Sequence, residues 1–245
     1  MMKQRPFAVF DIDGTLIRWQ LYHAVVESLT QDGKIPEPVA LKINAARLAW
    51  KNRDAGAESF AFYEETLVEG YHEALKVLSP SDIDVAIEKA FSLHGEQTYT
   101  YTRSLIQTLK DEGYLLFAIS GSHQQIVTKI GALYGFNDTI GAEYHTDAGA
   151  CTGTRTTPIV VGKGVLLNEL AAKHNVTWAG SVAIGDSKSD AAMLELVERP
   201  IAFNPDQRFY TVAAEKGWPI VIERKNMVYR LEKSDDVYTL AEVNI

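Results

Sequence analysis

Five short, unbroken apolar runs constrain this chain more than any other feature: Phe7–Phe10, Leu115–Ile119, Val182–Ile184, Ile201–Phe203 and Ile220–Ile222. A strand with one face in water alternates apolar and polar residues, whereas a strand covered on both faces is apolar throughout. Such runs therefore predict buried parallel strands. Between them, apolar residues recur at helical spacing. Thr98–Glu112 carries Leu105, Ile106 and Leu109 and stops at Gly113; His123–Tyr134 carries Ile126, Ile130 and Leu133 and stops at Gly135. Gly164–His174 and Asp190–Glu198 follow the same logic. The alternation of strand and helix predicts an α/β fold built on a doubly wound parallel sheet.

Two segments break the alternation. The residues between the first run and Thr98 contain no clear strand and read as four helices: Leu21–Leu29, Val39–Lys51, Glu58–Leu78 and Ser81–Leu93. In the third, Phe60, Tyr63, Leu67, Tyr71, Leu75 and Leu78 form an apolar stripe. This predicts a sheet domain of residues 1–15 plus 96–245, interrupted by a helical insertion over 16–95. In the second segment, Glu143–Thr154, the stretch Asp147–Gly149 suggests a turn between two short strands, a hairpin.

With 245 residues, 46% of them hydrophobic and 23% charged, the chain has ordinary globular composition. A net charge of −8 argues against nucleic-acid and basic membrane-surface partners. Cys151 is the single cysteine, so no internal disulfide can form. No signal-peptide core and no apolar stretch of membrane-spanning length are found, and the expectation is a soluble cytoplasmic protein. The oligomeric state is not legible.

In a parallel sheet all carboxyl ends lie on one edge, where ligands bind. The runs here end Asp11-Ile12-Asp13-Gly14-Thr15, then Ser120-Gly121-Ser122, then Gly185-Asp186-Ser187-Lys188-Ser189-Asp190. Asp11 and Asp13 are two apart and share a side in extended chain. Paired carboxylates near an apolar sheet repel unless a cation joins them. Asp186 and Asp190 add charge at the same edge, and hard oxygen ligands of this kind suit Mg²⁺ with a phosphate. Ser120 and the Gly121 amide offer donors to an anion at a strand-to-helix junction, and Lys163 offers a point charge. Each piece alone has a plainer reading: Asp-Gly as a turn, Ser120 and Ser122 as helix caps, Lys163 as a solvated lysine, Asp190 as a helix N-terminal acid. A calcium loop is a poor fit, because the glycine stands fourth rather than sixth. Jointly, in this order and each at a strand end, they describe a phosphoryl-transfer site.

The set DIDGT, ISGS, a lysine and GDSKSD resembles the haloacid dehalogenase (HAD) superfamily, mostly Mg²⁺-dependent phosphatases on a Rossmann-like core, over about Phe7 to Ile222. Gly121–Gly153 and the run from Gly185 to Pro205 look like its phosphoserine phosphatase-like subgroup. The resemblance implies that Asp11 attacks phosphorus and becomes an aspartyl phosphate. Asp13 protonates the leaving oxygen and then deprotonates water. Ser120, Gly121 and Lys163 hold the phosphoryl group. Mg²⁺ binds Asp11, the Asp13 main-chain carbonyl and Asp186, with Asp190 in support. The helical insertion becomes a cap that reads the leaving group. An acid at Asp13 favours a phosphate ester over a halide, which needs no proton.

The implied substrate is a small-molecule phosphomonoester. Phosphoserine is disfavoured: the subgroup's glutamate, nine residues after the nucleophile, is Gln20 here, with Glu27 as a fallback. Trp19, Tyr22, Trp50, Phe60, Phe62, Tyr63 and Tyr71 fit a quaternary-ammonium cage or, more simply, a helical core. Arg18, Arg47 and Arg53 are candidates for a carboxylate or second phosphate, and His123 for a ligand contact. Two alternatives use similar residues: a phosphotransferase sharing the aspartyl phosphate, and a receiver-like signalling or binding module.

Overall fold

The first apolar run becomes a strand, Pro6–Phe10, whose last four residues are buried. A computed structural model describes residues 4–54, 56–147, 150–235 and 237–244. In chain order its strands are β1 (Pro6–Phe10), β2 (Leu115–His123), β3 (Asp138–Asp147), β4 (Ala150–Thr156), β5 (Thr177–Gly185), β6 (Arg199–Phe203), β7 (Ile220–Arg224), β8 (Met227–Ser234) and β9 (Val237–Asn244). The helices are α1 (Leu21–Gln31), α2 (Glu37–Asn52), α3 (Ser59–Leu75), α4 (Pro80–His94), α5 (Thr100–Asp111), α6 (Gln124–Tyr134), α7 (Pro158–Val161), α8 (Lys163–His174), α9 (Ala191–Leu194) and α10 (Gln207–Lys216). No helix among the described residues is long and apolar enough to cross a membrane.

The chain divides into two compact units. The first comprises residues 1–20, His94–Ala142 and 157–245; the second comprises Leu21–Leu93 and Glu143–Thr156.

In the first unit the strand order is β3-β2-β1-β5-β6-β7-β8-β9. The pairs from β3 to β7 are all parallel, as the continuous apolar runs predict. β8 and β9 add an antiparallel edge. From β1 the chain builds β2 and β3 on one side, then crosses to β5, β6 and β7 on the other. The switch falls between β1 and β5, and such a switch opens a crevice at the strands' carboxyl ends. Phe7, Val9, Phe117, Ile119 and Ala183 pack with Leu167 of α8, Met193 of α9 and Phe209 of α10 in one core. Phe10, on the opposite face by strand alternation, meets Phe136 edge-on at 5.6 Å.

Among the elements the sequence predicts, two take a different form. β2 runs on past Ile119 through Ser120, Gly121 and Ser122 to His123, which pairs with Ala142 after a register shift. The helix expected over Asp190–Glu198 shortens to a 3₁₀ turn, Lys188–Asp190, and the four residues of α9, because the chain must reach β6 at Arg199.

The second unit holds α1 to α4 and the β3–β4 hairpin, whose turn at residues 148–149 lies outside the described residues. Gly70 lets α3 approach α2: a Cβ there would sit 2.9 Å from Ile43 Cδ1 and from Val39 Cγ1. Tyr71 meets Tyr22 edge-on at 5.4 Å and Tyr144 of the hairpin at 5.7 Å. The aromatics expected in the insertion thus largely pack on one another. Trp50 and Tyr63 stack 5.4 Å apart and 5° from parallel, which leaves no gap between them for a cation. Phe62 alone of that set stands largely exposed.

Candidate active site

Asp11 follows β1 directly, and its N–H donates to Ile184 O of β5 at 3.0 Å, which fixes it at the switch point. The chain then folds back tightly: the N–H groups of Leu16 and Ile17 both donate to Ile12 O, at 3.0 and 2.9 Å. Gly14 has φ +79°, and a Cβ there would run into the Asp186 carboxylate, 3.0 Å from its Cγ. Only a glycine lets the first turn and the Asp186 carboxylate share this space.

Lys163, in the first turn of α8, is buried between two acids. Its Nζ donates to Asp11 Oδ1 at 2.6 Å and to Asp190 Oδ1 at 2.5 Å. Lys163, Asp11 and Asp190 are 3%, 4% and 0% exposed, so water screens this pairing little. Burial alone would lower the lysine's pKa, but the two carboxylates outweigh it and hold it above its ordinary value, firmly charged. Asp11 is pushed up to about 7 by burial and by the charges of Asp190 and Asp13, against the pull of Lys163. Withdrawal from water, then the charges of Asp11 and Asp190, likewise raise Asp186. These acids crowd a site that calls for a further cation.

Asp190 is already committed. Its Oδ2 accepts from Ser187 N at 2.9 Å, Ser187 Oγ at 3.0 Å and Asp186 N at 3.2 Å, which closes a capping box around the turn that presents Asp186. Asp11 Oδ2, by contrast, is buried without a hydrogen-bond partner among the described residues. Ligand oxygens of Asp11, Asp186 and Asp190 all lie within 4.8 Å of one another. An orphaned carboxylate oxygen beside a second carboxylate, all hard donors, fits Mg²⁺.

The Asp13 carboxyl is not part of that cluster. It accepts from Ser120 Oγ at 2.5 Å and from Ser122 Oγ at 3.0 Å. The structure therefore brings Asp11, Lys163, Asp186 and Asp190 together, and sets Asp13 with Ser120 at the end of β2. Gly121 lies between the two serines on β2, only partly buried.

The remaining candidates fall elsewhere. His123 is buried at the end of β2. Gln20 Nε2 lies over the Gly14 turn, 3.3 Å from where a Cβ would stand. Arg18 lies over the Tyr99 ring at 5.6 Å. In the second unit Arg47 Nη2 lies 3.5 Å from Glu27 Oε1, an ion pair. Arg53 is the left-handed C-cap of α2. Sequence reasoning did not anticipate Ser122 as a partner of Asp13. Its spacing of two from Ser120, which puts both hydroxyls on one side of the strand, was the available signal.

Fold and site together define an α/β enzyme with a carboxylate–lysine centre at the carboxyl edge of its sheet. The chain belongs to the haloacid dehalogenase-like hydrolases: the model of that family matches residues 8–195. The resemblance carried by DIDGT, ISGS and GDSKSD is thereby borne out. A histidinol-phosphatase of Neisseria meningitidis serogroup C (strain 8013) is 27% identical over 244 residues, covering 89% of this chain and 98% of that protein. Among solved structures, a protein of unknown function from Bordetella pertussis Tohama I superposes with a TM-score of 0.69 at 20% identity, over 90% of this chain and 99% of that one. A phospho-aspartyl intermediate analogue of phosphoserine phosphatase superposes with a TM-score of 0.63 at 21% identity, over 91% and 95% of the two chains. Both structures share this fold.

Proposed function

We propose that this chain is a Mg²⁺-dependent phosphatase of small-molecule phosphomonoesters that works through an aspartyl phosphate on Asp11. The observation that carries this reading is the buried Lys163 bridge to Asp11 and Asp190, which leaves Asp11 Oδ2 without a partner among the described residues, beside Asp186. The family and its phosphatase-named relatives support the same class of chemistry.

An Asp11 oxygen attacks phosphorus, and the bond from phosphorus to the ester oxygen breaks. The Asp13 carboxyl gives its proton to the departing oxygen, so the alcohol leaves neutral. Asp13, now ionised, takes a proton from water as that water attacks the aspartyl phosphate. Inorganic phosphate leaves, and Asp11 is restored. Lys163 steadies the attacking carboxylate and offsets charge on the phosphoryl oxygens, which the Ser120 hydroxyl and Gly121 amide also bind. Mg²⁺, held by Asp11, Asp186 and the Asp13 main-chain carbonyl, would supply charge neutralisation when bound. Asp190 orients Lys163 and the Asp186 turn. Reading of the leaving group falls to the helical insertion over residues 16–95, by the family resemblance.

The test is phosphate release across a panel that includes histidinol phosphate, phosphoserine, phosphocholine, sugar phosphates, nucleotides and an aryl phosphate. Turnover is expected to require added Mg²⁺, to stop with a chelator, and to be abolished in Asp11→Asn while the protein stays folded. Wild-type-like hydrolysis by that variant refutes the nucleophile assignment. Added alcohol acceptors distinguish hydrolysis from phosphotransfer: an unchanged phosphate yield is expected of a hydrolase.

A further inference from the structure

Two hydroxyls hold Asp13, but they cannot both stay there during the reaction. Ser120 Oγ donates to Asp13 Oδ2 at 2.5 Å and accepts from Ser122 N at 2.9 Å. A serine hydroxyl has one proton to donate. If Ser120 is to bind a phosphoryl oxygen, it must release Asp13 as substrate arrives. Ser122 faces no such conflict. Its Oγ donates to the other carboxylate oxygen, Asp13 Oδ1, at 3.0 Å. It is 1% exposed, and nothing in the reaction calls on its hydroxyl elsewhere. Nor does it cap a helix: α6 starts at Gln124, with His123 in the cap position and no side-chain cap bond.

We propose that Ser122 is a positioning residue that keeps the Asp13 carboxyl aimed at the leaving oxygen while Ser120 turns its hydrogen bond from Asp13 to the substrate. The proposal rests on the reading of Asp13 as general acid. Without Ser122, Asp13 loses its second serine hydrogen bond at the moment Ser120 lets go, and its carboxyl is aimed at the leaving oxygen less of the time. Proton transfer from a misplaced acid is slow, whereas a leaving group that needs no proton is indifferent to it.

The experiment compares Ser122→Ala, Asp13→Asn and wild type on two substrates: an alkyl phosphomonoester, whose alkoxide must be protonated, and p-nitrophenyl phosphate, whose phenolate departs without help. For Ser122→Ala, kcat/KM, which reports aspartyl-phosphate formation and not the later hydrolysis common to both substrates, is expected to fall about 10–100-fold on the alkyl ester and about threefold on the aryl ester. The surviving aryl turnover also shows that the variant is folded. An equal loss on both substrates, as a packing defect would give, overturns the proposal. Asp13→Asn must discriminate at least as strongly between the two esters. If it does not, the acid reading and the proposal fall together. If it does while Ser122→Ala does not, the positioning role alone is refuted.

Discussion

Replacing Lys163 by methionine tests the electrostatic core of the site. Methionine keeps the apolar stem of lysine but removes its charged end. Lys163 bridges Asp11 and Asp190 at 2.6 and 2.5 Å with all three residues at most 4% exposed. In Lys163→Met two buried carboxylates face each other uncompensated, and breaking a buried pair in this way costs about 3–5 kcal/mol. For a chain of this size that corresponds to a fall in melting temperature of about 6–20 °C. The assay is thermal and urea unfolding in the presence of a chelator, so that no metal substitutes for the lost charge. A second substitution sharpens it. In Lys163→Met with Asp190→Asn, the amide oxygen can still accept from Ser187 N while the amide nitrogen donates toward Asp11. The double variant is therefore expected to be more stable than Lys163→Met alone, by about 1–3 kcal/mol. A melting point within about 2 °C of wild type, or no recovery in the double variant, refutes the reasoning.

Further outcomes follow from local geometry. Gly14→Ala, at φ +79° and against the Asp186 carboxylate, is expected to destabilise by about 1–2 kcal/mol and to weaken Mg²⁺ activation about 10–100-fold, read by metal titration of turnover; unaltered metal dependence counts against the Asp186 assignment. His23, buried beside Phe60 and Tyr63, has its pKa lowered by burial to about 4. The unfolded chain binds the proton more readily, so this histidine's contribution is intact above about pH 6.5 and lost as pH falls toward 4, about 3 kcal/mol in all. Unfolding free energies at pH 7.5 and 4.5 are expected to differ less in His23→Phe than in wild type, and an identical pH slope sinks this account. Glu223 accepts from the N–H groups of Thr100 and Tyr101 at 3.0 and 2.8 Å, at the start of α5, where Tyr99 gives no side-chain cap. Glu223→Ala is expected to cost about 1–2 kcal/mol in urea unfolding, and a neutral result removes the capping role.

The sheet was legible where its strands are buried on both faces. Phe7–Phe10 and Val182–Ile184 read directly as β1 and the heart of β5, because nothing but apolar residues fits there. The edge was not. β8, MVYRLEKS, is half-covered at best and interleaves charges, so no periodic signal separates it from a loop. α10 was missed as well, although its start carries a signal: Asp206 accepts from Phe209 N at 2.7 Å as a helix cap. At the site, the gathering of Asp11, Asp186 and Asp190 follows from topology, since they stand just after the ends of β1 and β5, whereas Lys163 comes from the first turn of α8. What the sequence could not show is how each atom is spent. That Asp190 gives one oxygen to Lys163 and the other to the Ser187 turn, or that Ser122 turns to Asp13 instead of capping α6, depends on rotamers set by neighbours far along the chain.

The make-up of the second unit bears on how the chain acquires its structure. Its helical segment ends at Leu93, yet Tyr144 and the rest of the hairpin that pack with it begin only at Glu143. At about 5–20 residues per second of synthesis, the helices emerge several seconds before the strands that complete them. In that interval the Tyr71 side of α3 lacks its partner. During synthesis this face is the stretch most open to chaperones or to mispairing. By the same reasoning, a fragment excised as Leu21–Leu93 alone leaves the unit unfinished.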